Sequence, residues 1–138
     1  MELSRQADYA FRTMVELAKA SPGSYFHTED IARGQNIPEK YLPSIIRALA
    51  RAGLIRTMRG SQGGVSLPRP PSQINLLEVV EAVEGQILLN RCLIRPGECL
   101  KEGQACRLHQ FWQKMTADLE EKLRSVNFQD LASADRLT

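Results

Sequence analysis

The chain has 138 residues, 43% of them hydrophobic and 25% charged, a balance that is typical of one globular domain and excludes a disordered or membrane-embedded chain. Its formal net charge is only +2, but residues 39 to 69 contain six basic residues and one acid, a net charge of +5. Such a segment is typical of a surface that binds a polyanion, because each Lys or Arg that neutralises a phosphate releases counterions. From charge alone, a solvated basic face is the alternative.

The first ten residues and the cysteines indicate in which compartment the protein works. The first ten residues carry charges at positions 2, 5 and 8 and no apolar run follows, so we expect neither a signal peptide nor a membrane span, and a cytoplasmic location. All three cysteines fall between residues 92 and 106. Because cytosolic thiols are normally reduced and the number is odd, metal or redox chemistry is favoured over a disulfide framework.

Three helices are predicted in the first third of the chain. Apolar residues at three- and four-residue spacing predict a helix over residues 3–20, which ends at Ser21-Pro22-Gly23. A short second helix is predicted to begin near the N-cap residue Thr28 and to end around Gly34. A third helix of about a dozen residues follows Ile37-Pro38, with Gly53 as its C′ residue. The second and third helices form a predicted helix-turn-helix, for which a simple packing hairpin is the alternative.

The residues after Gly53 favour the DNA-binding interpretation. Residues 54–59 and 65–67 predict a β-hairpin with glycines at its tip, which is the wing of a winged helix. Arg59 adjoins this tip, where a flexible backbone can approach a phosphate or a minor groove that favours arginine. The predicted DNA-contacting residues are Thr28, Lys40, Tyr41, Ser44, Arg47, Arg51, Arg59, Gly60, Ser61 and Gln62.

The second half of the chain is predicted to contain two helices separated by the cysteines. Pro68, Pro70 and Pro71 mark a boundary, after which a helix is predicted over Leu76 to Glu84. Residues 90–106 have too few apolar residues for a core of their own and are predicted to form a loop. A long helix from Arg107 to about Val126 has a broad apolar face, which predicts a two-fold dimer contact and a pseudo-palindromic operator. The predicted interface residues are Leu108, Phe111, Trp112, Met115, Leu119 and Leu123.

The predicted fold is therefore mainly α with a small β wing. We expect a winged helix-turn-helix DNA-binding domain over residues 1–70, a linking helix and cysteine-bearing loop over 71–106, and a dimerisation helix with a C-terminal tail over 107–138. The expected partners are a second copy of the chain and double-stranded DNA, with no membrane. Two histidines and no nucleophile motif argue against an enzyme.

The cysteine spacing indicates the kind of ligand that the loop would hold. Six residues separate Cys92 from Cys99 and six separate Cys99 from Cys106, and His109 follows after two more. Structural zinc usually takes pairs of ligands two to four residues apart, so wide arcs favour a larger inorganic core such as an iron-sulphur cluster over zinc. Unliganded thiols are the third possibility. His109 could face the same site as Cys106 from the start of the long helix. Asp8 is the alternative fourth ligand, presented by a dimer partner, and His27 is a weaker candidate.

Five segments of the chain form one pattern. They are Asp8-Tyr9-Ala10, Tyr41-Leu42, Ala52-Gly53-Leu54-Ile55, the wing segment Arg59-Gly60-Ser61-Gln62-Gly63-Gly64, and Cys106-Arg107-Leu108-His109 with Trp112. With them the chain resembles, over essentially its whole length, the Rrf2 family of bacterial winged-helix regulators. The resemblance implies a transcriptional regulator. Membership of the iron-sulphur branch of the family implies a repressor or a sensor of redox state, iron or nitric oxide. In that branch three cysteines and a histidine hold a two-iron cluster.

Two departures from the family pattern bear on the ligand set and the operator. The family commonly places its cysteines five apart, whereas both gaps here are six, and Asp8 is similar to the carboxylate with which nitric-oxide sensors bind a four-iron cluster. We favour [2Fe-2S] over [4Fe-4S]. Pro43 stands where relatives have an acidic base-reading residue, so it must lie in the first turn of its helix and the operator should differ. A cluster-free repressor that acts through a partner protein or thiol oxidation is the alternative function.

Overall fold

The computed structural model describes residues 2–21, 23–60, 64–95 and 106–133. Most of these residues are helical, with one two-stranded antiparallel sheet, so the predicted fold class is confirmed. No helix within the described ranges is both long and apolar enough to cross a membrane. In chain order the elements are α1 (Arg5–Ala18), α2 (Thr28–Gln35), α3 (Leu42–Arg51), β1 (Arg56–Met58), β2 (Gly64–Ser66), α4 (Leu76–Glu84), α5 (Arg91–Ile94), α6 (Arg107–Arg124) and α7 (Phe128–Ala132).

The first three helices pack around one core. Ser4 caps α1 through a 3.1 Å hydrogen bond from the Ala7 amide to its side chain, and the buried face of α1 contacts α2 and α3. The turn between α2 and α3 depends on Asn36, whose φ of 56° is left-handed. The start of α2 differs slightly from the prediction, because His27 is the N-cap and Thr28 is the first helical residue. The buried apolar residues of this unit include Met14, Ile31, Leu42, Ile45 and Leu49.

The end of α3 sets the direction of the chain into the wing. The Leu54 amide donates to the Leu49 carbonyl (2.9 Å) and the Gly53 amide donates to the Ala50 carbonyl (3.0 Å). With Gly53 at a φ of 74°, these two bonds form a Schellman motif, so the predicted C′ glycine is confirmed. Leu54 is buried directly after this motif and anchors the following strand to the helical core.

The wing hairpin is held to the helical unit by a third segment. Arg56 pairs with Ser66, Thr57 with Val65 and Met58 with Gly64. On the other side of β2, Phe26 and Val65 exchange two backbone hydrogen bonds of 2.8 Å. Since residue 26 directly precedes the N-cap of α2, these backbone hydrogen bonds join the wing to the helix-turn-helix.

Gly64 lies at the point where this connection is tightest. Its φ is 155°, and an added Cβ would be 2.3 Å from the Phe26 carbonyl oxygen, which is backbone and cannot rotate away. We expect Gly64→Ala to break the Phe26–Val65 pairing and to lower the free energy of unfolding by about 2–4 kcal/mol. Urea unfolding followed by circular dichroism measures the change.

Gly53→Ala is the matched control for this substitution. Gly53 also has a positive φ, but nothing lies within 4 Å of a Cβ built there. We expect Gly53→Ala to lower the free energy of unfolding by only about 1–2 kcal/mol, which is the cost of the left-handed backbone for alanine. Equal losses in the two variants would show that the Phe26 contact contributes nothing beyond backbone strain.

The C-terminal part folds back onto the helix-turn-helix unit. α4 begins with a capping box between Asn75 and Glu78, and α7 contacts α1 with Phe128 fully buried. The Phe128 amide donates to the Ile74 carbonyl (3.0 Å), which joins the two segments. The range predicted for α4 is confirmed, whereas α7 and the short α5 were not predicted and α5 lies inside the predicted loop.

Candidate nucleic-acid interface and cysteine site

The helix-turn-helix and the wing meet at the start of α2. Thr28 lines two grooves, one of about 310 Å³ against α3 and one of about 290 Å³ against the wing. Pro43 of α3 lines the first groove, Met58 and Gly60 line the second, and Ile46 of α3 lines both. Pro43 lies in the first turn of α3, as predicted. The amino end of α2, α3 and the wing therefore belong to one continuous surface, as a DNA-binding winged helix requires.

Most of the basic residues of segment 39–69 have no acidic partner among the residues that the structure describes. Within the described ranges the ion pairs are Arg12–Asp8, Lys19–Glu16, Arg33–Asp30 and Arg69–Glu78. Of this segment only Arg69 takes part in one, which leaves Lys40, Arg47, Arg51, Arg56 and Arg59 with exposed, uncompensated charge. These charges are free to neutralise phosphates.

The amino end of α3 is held by residues from α1. The Tyr41 ring lies 5.5 Å from the Tyr9 ring, and the Lys40 ammonium lies 5.1 Å from the centre of the Tyr41 ring. Ser44 donates a 3.1 Å hydrogen bond to the Tyr41 carbonyl and accepts one of 3.2 Å from Gln6. Gln6 is a positioning residue that sequence reasoning missed, because nothing local in the sequence links it to a serine 38 residues away.

The structure places the predicted DNA-contacting residues in three groups. Thr28 begins α2, Lys40, Tyr41, Ser44, Arg47 and Arg51 lie on or just before α3, and Arg59 and Gly60 lie at the exposed end of β1. Ser61 and Gln62 lie outside the described residues.

The cysteine site is built from α5 and α6, which contact each other. Cys92 is in α5 and Cys106 is the N-cap residue of α6, and both are free, half-buried thiols. Asn90 donates a 3.5 Å hydrogen bond to the Cys92 sulphur. Cys99 lies outside the described residues, and within the described ranges no three His, Cys, Asp or Glu side chains are gathered as a metal site. Two thiols and an imidazole on contacting elements fit a cluster in their chemistry, since iron-sulphur clusters take thiolates and, in some two-iron centres, histidine.

The candidates for a fourth ligand differ in their surroundings. His109 is half-buried in the first turn of α6, three residues after Cys106, whereas His27 is exposed before α2. Asp8 is exposed on α1 and its carboxylate lies 3.1 Å from the Arg12 guanidinium. Because an exposed ion pair contributes about 0–1 kcal/mol, this contact opposes cluster ligation by Asp8 only weakly.

The apolar face of α6 is only partly covered by its own chain. Leu108, Phe111, Met115 and Leu119 are exposed by 59%, 50%, 40% and 38%, and their spacing puts them on one stripe. Trp112 and Leu123 are half-buried, and within the described ranges the buried Trp112 indole nitrogen has no hydrogen-bond partner. We define the four exposed residues as the α6 stripe.

A winged helix with an uncompensated basic surface defines a DNA-binding transcriptional regulator. The family model described as Rrf2, iron-dependent transcriptional regulator, matches residues 3–134. The chain belongs to the Rrf2 family.

Individual relatives agree with this assignment. Rv1287 of Mycobacterium tuberculosis, which carries the name of an HTH-type transcriptional regulator, is 33% identical over 132 residues, covering 96% of this chain and 81% of that protein. The structure of CymR, the global cysteine regulator of Bacillus subtilis, superimposes with a TM-score of 0.79 at 28% identity and covers 99% of both chains. IscR of T. potens gives a TM-score of 0.76 at 26% identity, over 98% of this chain and 89% of that one. The relatives are transcriptional regulators rather than enzymes, as the sequence predicted.

Proposed function

We propose that this chain is a cytoplasmic, homodimeric repressor whose affinity for a pseudo-palindromic operator is controlled by a [2Fe-2S] cluster. Cys92, Cys99, Cys106 and His109 hold the cluster. DNA binding is assigned to residues 1–70, the link and cluster loop to 71–106, and the dimer contact to the helix within 107–138.

The observation that carries the proposal is the placement of two thiols and an imidazole on α5 and α6. These helices connect to the DNA-binding unit through α4, because α5 contacts α6, α6 contacts α4, and α4 contacts α1 of that unit. Asn90 supplies a hydrogen bond of the kind that tunes the potential of a cluster through its sulphur ligands. When bound, the cluster supplies a centre that responds to redox state, iron supply or nitric oxide.

Anaerobic purification with iron and sulphide quantification tests the cluster. We expect a coloured protein with about two iron and two sulphide ions per chain. About four iron and four sulphide ions per chain would show that the cluster is [4Fe-4S] rather than [2Fe-2S]. Operator fragments selected from genomic DNA by the coloured protein should bind with a different affinity once the cluster is removed.

A cluster-free repressor that responds through its thiols is the second candidate. It is favoured by the similarity to CymR, which is described as a global cysteine regulator, and by the two free, half-buried thiols of Cys92 and Cys106. A colourless protein that contains neither iron nor sulphide, and whose DNA affinity changes on reversible thiol oxidation, would establish this candidate in place of the first.

Arg59→Ala tests the wing. Arg59 is exposed beside Gly60 and has no acidic partner in the described ranges, so its charge is available to a phosphate or a minor groove. We expect operator binding to weaken by about 1–3 kcal/mol with the fold intact. Gel-shift titration measures this, with Arg33→Ala as the control because Arg33 is paired with Asp30 on α2. Equal affinity of the Arg59 variant and the natural protein at physiological salt would show that the wing does not contact DNA.

A further inference from the structure

A cavity of about 260 Å³ lies at the root of the wing, away from the helix-turn-helix grooves. One side is the end of α1 and the turn after it, including Leu17, Ser21 and Ser24. The opposite side is Arg56 at the start of β1 and the segment that follows β2. The cavity therefore separates the two strands of the wing from α1 at the end opposite the wing tip.

The charges around this cavity are of one sign. Its described lining contains two arginines, Arg56 and Arg69, and no acidic residue. Arg69 is neutralised by Glu78 at 2.6 Å, which does not line the cavity. Arg56 makes no ion pair within the described ranges, so its charge there is uncompensated.

The rest of the lining indicates what kind of anion would fit. The hydroxyls of Ser21 and Ser24 are exposed and bonded to no other described residue, whereas Leu67, Pro68 and Pro71 supply apolar walls. A guanidinium with free hydroxyls binds a carboxylate, and apolar walls favour an apolar body attached to it. Since a cavity of about 150 Å³ accepts benzene, the volume suits about ten non-hydrogen atoms.

We propose that this cavity is a binding site for a small organic carboxylate with an apolar body. Arg56 and the two serine hydroxyls bind the carboxylate, and the proline and leucine side chains contact the body. Because Arg56 begins the strand that leads to Arg59, a ligand there joins the root of the wing to α1. The site is separate from the proposed cluster and does not depend on it.

Calorimetric titration of the full-length protein without DNA tests the proposal. The probes are phenylacetate, benzoate and isobutyrate, with phenethylamine as a control that has an ammonium in place of the carboxylate. We expect at least one carboxylate to bind at millimolar concentration or below and phenethylamine not to bind. Arg56→Gln should weaken that binding about tenfold or more, whereas Arg33→Gln, an equal charge change on α2, should not.

Three outcomes overturn the proposal. The first is the absence of binding by all three carboxylates, and the second is equal binding by the natural protein and a folded Arg56→Gln variant. The third is inorganic phosphate binding as tightly as the best carboxylate, which would show that the apolar walls contribute nothing. None of these outcomes bears on the cluster, because iron and sulphide are measured independently.

Discussion

Replacing any one of Cys92, Cys99 and Cys106 by alanine is expected to abolish the visible absorption of the anaerobically purified protein. Each substitution removes one thiolate from a proposed site that has no spare cysteine, because the chain contains three. Neither Cys92 nor Cys106 belongs to the buried core, so the winged helix should remain folded. Absorption spectroscopy with iron and sulphide assays measures the loss, and circular dichroism verifies the helical content.

His109→Ala distinguishes the proposed fourth ligand from the alternative. We expect it to alter or abolish the absorption spectrum and to change the redox behaviour, since imidazole ligation sets the potential of a two-iron centre. His27→Ala is the comparison variant, because His27 is the other histidine of the chain and the weaker ligand candidate. Since His27 is exposed before α2, we expect its substitution to leave the spectrum unchanged. Asp8→Ala should leave the spectrum unchanged.

The opposite pattern would transfer the ligand role to Asp8. If His109→Ala keeps the natural spectrum and potential while Asp8→Ala loses them, a carboxylate from α1 completes the site. The Asp8–Arg12 ion pair would then have to open when the cluster binds. If both variants keep the natural spectrum, the three cysteines are completed by a ligand outside this pair.

The parts of the fold that sequence could predict are those that depend on local signals. Periodic apolar residues predicted α1 and α4, and a glycine in the left-handed region predicted the end of α3. The wing was predicted from its glycines. Its attachment was not, because the pairing of Phe26 with Val65 joins segments that are far apart in sequence.

The lack of a local signal also explains why the short helices α5 and α7 were not predicted. α7 has five residues, too few to show a helical period, and it is stabilised by burial of Phe128 and by the Ile74 hydrogen bond. Within the site, residue types and spacing identified the candidate ligands and the basic residues. Gln6 could not be found in this way, because its only signal is a contact with Ser44 that the fold creates.

Leu119→Glu is expected to separate the proposed dimer into monomers. Leu119 is exposed by 38% in the second half of α6, and the α6 stripe is only partly covered within the described ranges. In a two-fold contact each substitution occurs twice, so two carboxylates would be placed in one apolar interface. We expect association to weaken by about 3–5 kcal/mol, which is more than a hundredfold in Kd.

Ala117→Glu is the matched control for this change, because residue 117 adds the same charge on a different face of α6, about 160° away from Leu119. Ala117 is exposed, so its glutamate can be solvated. Sedimentation equilibrium of both variants gives the comparison. A dimeric Leu119→Glu protein would place the subunit contact elsewhere, and the exposed leucine, phenylalanine and methionine side chains of α6 would then need a different partner. Monomers from both variants would show that added charge anywhere on α6 disrupts the helix, and the stripe would lose its specific role.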